Sequence, residues 1–384
     1  MTLFGHPTAR AVVVRHGATA AAAGVLAAGA ARLAYAALRA RPPGGEKTWT
    51  RTNHRGEPVT LTEGPAVTAG ALAALALVSA LPKQQASTEW PTPLSDRGSL
   101  GGSSPRESSP TRPATIPLLI AGAGAAAFGV YDDLAGSGKR RGLRGHLGAL
   151  LHGEVTTGAV KLLGLGATGL VSAATLAVLR GAERPPAGGT GGRVAPPCAG
   201  GVWGGSIPPR QYVDVVINAG LIAGGANLLN LFDLRPGRAI KVAAASGVLL
   251  AATDAGDFKR SAAFPGGRPP QTPPIENRGT PFRKTVVVAP TLGAALALLP
   301  DDLGERAMLG DGGANALGAT LGAAAAATLP RPARAGLLAG ITALTLASEK
   351  ISFTKVIERT PPLRWLDMLG RRPRHRARHS RRRA

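Results

Sequence analysis

The sequence predicts an all-α protein, a polytopic transmembrane helix bundle of about nine spans with its N-terminus outside and its C-terminus in the cytoplasm. Three observations carry this. Apolar blocks rich in Ala, Gly, Val and Leu recur along the 384 residues, each near the ~20 residues that span ~30 Å of hydrocarbon. Aromatic residues make up only 4% of the chain, too few to furnish a large soluble core, whereas Ala and Gly suit close helix–helix approach in lipid. The connections between blocks alternate in composition, and their charge alternates with it. The mean hydropathy of +0.09 hides the pattern, because long polar inserts dilute the apolar blocks.

The first block, 17–38, follows Arg10 and Arg15 in the manner of a signal peptide, but its length favours an uncleaved span. The remaining blocks cover 65–82, 114–133, 156–180, 212–232, 238–254, 285–300, 307–329 and 334–352. Those at 238–254 and 285–300 are short and weak, and the block at 307–329 carries Asp311 near its start. A backbone in lipid must satisfy its own hydrogen bonds, so every block is read as a helix.

Two kinds of connection separate the blocks. Stretches rich in Pro, Gly and Ser fill 83–113, 181–210 and 255–284 and read as flexible loops without chemistry. The connections 39–64, 134–155, 233–237 and 301–306, with the tail beyond 353, are denser in charged residues, Gly and Asn. Nine spans put the two sets on opposite faces, and the excess of Lys and Arg assigns the dense set to the cytoplasm. Loop 255–284 runs against this, with Lys259, Arg260, Arg268, Arg278, Arg283 and Lys284 on the outer face, but long loops weigh less in orientation. The organisation that follows is one membrane domain over 1–353 and a basic cytoplasmic tail over 354–384.

The net charge of +23 admits nucleic-acid binding or the positive-inside bias of a multispan protein. The spread of Lys and Arg over alternate connections favours the second, and no nucleic-acid partner is expected. The tail from Arg371 to Ala384 has no acidic residue and reads as a solvated anchor to anionic headgroups. Cys198 is the only cysteine, which excludes an intramolecular disulfide and a cysteine-based metal cluster.

Against this background four carboxylates stand out: Asp132 and Asp133 in GVYDDL, Asp233 in NLLNLFDL and Asp311 in LGDGG. A charge at mid-bilayer costs about 2.5–3.5 kcal/mol on insertion scales, so acids in such blocks are seldom kept without use. The topology gathers all four at the cytoplasmic face. Adjacent carboxylates repel unless a cation lies nearby, and a hard divalent ion such as magnesium suits them. Ion pairing with Lys139, Arg140, Arg141 or Arg144 is the structural alternative.

Thr156 and Thr157 are placed to cap the next helix, and Lys161 follows about one turn inside it. That lysine either partners phosphate or snorkels to the headgroups. His146 and His152 read as interfacial bystanders. Asn227 and Asn230 share one helix face, and Asp233 follows about a turn later. Asn218 points to the far side and reads as a helix-to-helix bond. Asp311 sits among glycines whose N–H groups are free to meet an anion, or it simply caps a helix.

In order, these segments resemble the polyprenyl-phosphate N-acetylhexosamine-1-phosphate transferases (glycosyltransferase family 4), which include phospho-MurNAc-pentapeptide transferase and undecaprenyl-phosphate GlcNAc-1-phosphate transferase. GVYDDL is similar to the family's paired-aspartate motif and TTGAVK to the segment with its membrane-face lysine. NLLNLFDL matches NxxNxxDG at Asn227, Asn230 and Asp233, and LGDGGANALG matches MGDxGSLxLG at Gly310, Asp311, Gly313, Leu317 and Gly318. RTNHRGEPVTLTEGPAV occupies the place of the family's first cytoplasmic loop, and the likeness covers roughly residues 48–350.

The resemblance implies a reaction in a bacterial cell membrane, within cell-envelope glycan synthesis. Polyprenyl phosphate attacks a UDP-amino sugar, and UMP leaves with help from Mg2+. By carry-over, Asp132, Asp133 and Asp311 are the catalytic and metal-binding acids. Lys161, Asn227, Asn230 and Asp233 bind substrate. Membrane lipids are the other partners, and a homodimer is compatible with the reading. Two departures stand beside the match. Pro236 lies where the family has a second aspartate, and the family's last-loop histidine motif is replaced by SEKISFTKVIERTPPLRWLDMLGRRP. Lys47, Arg51 or Arg55 could stand for the family's first-loop lysine. The alternative is therefore a catalytically degenerate member that binds the lipid carrier or an envelope-assembly partner. An ion-coupled transporter fits less well, because the acids lie at helix ends on one face and no internal repeat is evident.

Overall fold

The computed structural model describes residues 7–53, 55–80, 112–136, 145, 148–149, 151–182, 209–262 and 283–373. Most of the three low-complexity loops lies outside them, as do Cys198, Lys139, Arg140, Arg141, Arg144, His146 and residues 374–384.

Among the described residues the elements in chain order are α1 (Pro7–Ala40), α2 (Glu46–Trp49), β1 (Thr50–Thr52), β2 (Pro58–Thr60), α3 (Glu63–Ala80) and α4 (Arg112–Ala135). Then come α5 (Thr157–Ala182), α6 (Pro209–Phe232), α7 (Arg238–Ala262), α8 (Arg283–Leu303), α9 (Gly310–Thr328) and α10 (Arg331–Ser348), with α11 (Phe353–Arg359) and α12 (Pro361–Met368) at the end. Each of the nine apolar blocks of the sequence falls on one long helix. Among the described residues six helices are long and apolar enough to cross a membrane: Gly17–Ala40, Glu63–Ala80, Thr115–Ala135, Thr157–Gly181, Arg210–Phe232 and Lys284–Leu303. The block at 285–300, read as weak, lies in one of these six.

Helix α9 shows why composition is a poor guide at the centre. It packs against α3 to α8, and every residue from Gly310 to Ala326 except Asp311 is buried. Its small residues answer to helix contact, not to lipid. A Cβ added at Gly318 would strike the backbone carbonyl of Gly225 on α6, and one at Gly129 on α4 would strike the carbonyl of Asp311. Backbones approach this closely only where side chains are absent. Outside the bundle, Leu33, Leu163, Val171, Val216 and Leu249 are more than half exposed. That is the inverse of a soluble protein's surface and suits a protein that sits in a membrane.

Polar contacts tell which helix ends meet. At one end of the bundle the last turns of α4 and α8 join the first turns of α5, α7 and α9. At the other end, Arg334 of α10 donates to Asn218 (2.7 Å) and Asp214 (3.2 Å) of α6. Asn218 is thus the helix-to-helix bond that its position suggests. There too Arg180 of α5 caps the final carbonyls of α9 at Ala326 and Ala327.

Two features lie beyond the sequence reading. Connection 39–64 contains an antiparallel hairpin in which Arg51 pairs with Val59, and Thr60 bridges to Ala307 just before α9. The start of the tail carries two short helices. Helices α11 and α12 pack back onto the bundle, with Phe353 stacked on Phe232 at 5.1 Å.

Candidate functional site

The site is built where α4 ends and α9 begins. Gly310 takes a positive φ of 65°, which turns the chain sharply into α9. The first backbone N–H groups of a helix have no partner within it, and their dipoles favour an anion. Asp133 supplies that anion from another helix: its Oδ1 accepts the Asp311 N–H at 3.0 Å and its Oδ2 the Gly312 N–H at 2.9 Å. A Cβ at Gly310 would stand 2.9 Å from Asp133 Oδ2, so the glycine also makes room for this contact. Arg51 of the hairpin donates to the Asp133 backbone carbonyl, covering an end of α4 that would otherwise lack a partner.

With Asp133 engaged, its neighbour Asp132 turns to a different partner. Lys161 Nζ lies 2.7 Å from Asp132 Oδ2 and 2.5 Å from Asp311 Oδ2. One ammonium therefore bridges acids from two helices. Its place is set by the start of α5, where Thr156 Oγ1 accepts the Ala159 N–H at 3.1 Å as an N-cap. The Asp311 side chain keeps 28% of its surface exposed, so the triad can be reached from outside.

Asp233 follows α6 and its N–H bonds back to the Asn230 carbonyl at 3.0 Å. Its carboxyl is buried, and Oδ2 has no hydrogen-bond partner. Burial, with Asp302, Asp311 and Asp133 adding repulsion, pushes this carboxyl well above the ordinary range, and the Gly310 N–H opposes the shift. Asp233 therefore lies within the electrostatic reach of the α4–α9 acids. Asn227 and Asn230 are half-buried on the last turns of α6. His152 is held by the Gly148 carbonyl at 2.7 Å and takes no part in the triad.

The sequence reading missed several neighbours. Glu63 opens α3 fully buried, and neither carboxyl oxygen has a partner. Asp302, in the last turn of α8, accepts the Gly237 N–H at 3.0 Å and so fixes the loop after Asp233. Asp301 beside it pairs with Arg32 of α1 at 2.5 Å and Arg306 at 3.0 Å. The DDLGER run carried the signal, since its two acids end an apolar block as Asp132 and Asp133 do. Near the hairpin, Asn53 Nδ2 donates to Glu305 at 2.9 Å, and the same carboxylate lies 2.9 Å from Nε of Arg55, one of the three cations the sequence offered for the first loop.

Among the described residues no three Asp, Glu, His or Cys side chains are grouped as a metal cage. What the site offers is a pair of carboxylates, Asp132 and Asp311, already arranged around one cation, and the orphaned Oδ2 of Asp233. Magnesium usually takes one or two carboxylates and completes its shell with waters and substrate phosphates, so this donor set fits it. Compared with known proteins, the chain matches no family model and no curated protein sequence.

Proposed function

We propose that this chain moves a sugar-1-phosphate from a UDP-amino sugar to polyprenyl phosphate at the cytoplasmic face of a bacterial cell membrane. In this reading it is a nine-span protein with its N-terminus outside, and the product feeds envelope glycan synthesis. The observation that carries the reading is the bridge of Asp132 and Asp311 through Lys161, reachable at one end of an apolar bundle. Such a place serves a lipid phosphate entering from the side and a nucleotide entering from water. Alternating helix ends support the nine-span topology, since the acids, the hairpin and helices α11 and α12 all lie at one end.

The reaction needs no proton. An oxygen of the lipid phosphate bonds to the sugar-bearing phosphorus, and the bond from that phosphorus to the bridging oxygen breaks, releasing UMP. Charge spreads over the transferred group, so positioning and electrostatics do most of the work. Lys161 supplies a fixed positive charge to the phosphates. Asp132 and Asp311 hold magnesium, which when bound neutralises the diphosphate and the leaving UMP. Asn227, Asn230 and Asp233 receive the nucleotide diphosphate. Asp133 braces the first turn of α9 and so sets where Asp311 points.

A panel of UDP-sugars with undecaprenyl phosphate and purified chain tests this. UMP release from at least one donor is expected, and release from none rejects it. A second reading draws on Pro236, whose carbonyl accepts Arg371 at 2.9 Å where the family carries an acid. The chain is then a lipid-carrier-binding protein without turnover. Polyprenyl-phosphate binding without UDP-sugar or UMP affinity selects that reading.

A further inference from the structure

Helix α12 is turned inside out. Its one buried residue is Asp367, while Trp365 is 65% exposed and Leu366, Leu369 and Leu363 are roughly half exposed. A short helix on a soluble surface buries its leucines and shows its acids. Here the polar side is pinned to the bundle. Arg238 of α7 grips both oxygens of Asp367 at 2.8 and 3.2 Å and reaches Thr354 at 3.0 Å. Lys241 donates to the carbonyls of Leu366, Asp367 and Leu369 that end the helix. Arg371 adds a third bond to Asp367 at 2.7 Å. Among the described residues these contacts leave the apolar side no protein to face.

That side is also basic at its rim. A cleft of about 360 Å3 between α11 and α12 is lined by Arg359, Arg364, Trp365 and Met368, with Glu358 and Pro361. Lys355 is exposed nearby, and the sequence continues past Pro373 with six arginines and no acid. The anchoring residues Pro236, Arg238 and Lys241 lie at the start of α7, at the bundle end that holds the acids. In a membrane protein that level is the boundary of hydrocarbon and headgroup, where Trp with flanking cations settles.

We infer that α11 and α12 form a strap that lies in the cytoplasmic leaflet, with Trp365 and the leucines among upper acyl chains and Arg359 and Arg364 on anionic phosphates. A second copy is a poor occupant, because a two-fold contact would set each arginine rim against its own image. RNA would satisfy the arginines and leave the leucines in water. The inference does not depend on transferase activity.

The test uses the full chain in nanodiscs. Trp365 is one of four tryptophans, so its emission is read as the difference between the chain and Trp365→Phe. Lipids brominated in the upper acyl chain are expected to quench that difference, and aqueous iodide to leave it, when anionic lipid is present. Arg359→Gln and Arg364→Gln should each lower the ratio of lipid-quenched to iodide-quenched Trp365 about fivefold, equivalent to the ~1 kcal/mol of a juxtamembrane cation. Iodide quenching with no effect of brominated lipid overturns the inference. Protection from both quenchers, with cross-links from position 365 to another chain or to RNA, also overturns it and gives the face to a macromolecular partner.

Discussion

Asp133, in the last turn of α4, accepts the backbone N–H of Asp311, in the first turn of α9, at 3.0 Å across 178 positions of sequence. The contact joins two segments that read as separate motifs and makes one carboxylate the cap of another segment's helix. It also divides the labour of the adjacent acids, with Asp133 facing backbone and Asp132 facing Lys161.

Asp133→Ala should therefore cost more than an ordinary surface change. Loss of an N-cap costs about 0.5–2 kcal/mol, and this cap serves two N–H groups of a buried helix, so the upper end is expected. Asp133→Asn keeps one acceptor oxygen and should lose less. Thermal unfolding in detergent checks the order, and equal losses would show that the cap does not matter.

Lys161→Met leaves Asp132 and Asp311 without their shared cation. A buried donor or acceptor left unsatisfied costs about 1–3 kcal/mol and a charged one more, and partial exposure of these side chains brings the expected loss back within that range. Adding Asp311→Asn to Lys161→Met should recover part of the loss, because the remaining repulsion between acids falls. A double-mutant cycle reads this directly, and strictly additive losses would deny the bridge.

Asp233 has its carboxyl raised by burial, so the folded state holds its proton to higher pH than the unfolded state. Stability from this group is complete below the unfolded value of about 4 and is lost as pH rises through the folded value. Asp233→Asn should flatten that fall. Unfolding midpoints taken from pH 4 upward in both proteins check it, and parallel profiles would mean that the carboxyl ionises freely in the fold.

Arg238→Met removes one side of a buried ion pair and leaves Asp367 to Arg371 alone, so the loss should fall below the about 3–5 kcal/mol of a fully uncompensated buried charge. Only the strap depends on this pair, so the loss should appear locally. Faster hydrogen exchange over residues 353–372, with α4 and α9 unchanged, is expected. Uniform exchange across the chain would place the effect in the whole bundle instead.

Much of the fold was legible because hydrophobic length is a local property: each block announces its own helix at 17–38, 65–82 and onward. Asp132, Lys161 and Asp311 could be singled out because each is a charge set at the edge of an apolar run, and the structure brings them together. The hairpin at Thr50–Thr60 stayed hidden because its strands are three residues each, too short for a period to register. Arg238 and Asp367 stayed hidden because their pairing spans 129 positions and neither interrupts an apolar block. Asp302 passed as a loop acid although α8 extends to Leu303. Small residues in α9 looked like a lipid span and proved to be the packing centre, since Ala and Gly serve both.

Magnesium-dependent release of UMP by purified chain, compared with Asp311→Asn, is the most direct measurement of whether these acids do chemistry. The expected result is release that rises with added Mg2+, disappears with a chelator, and falls at least ~100-fold in the variant, about 2.7 kcal/mol of lost transition-state stabilisation. Release that ignores magnesium, or that survives intact in Asp311→Asn, would contradict the reading of Asp132 and Asp311 as the pair that holds the metal.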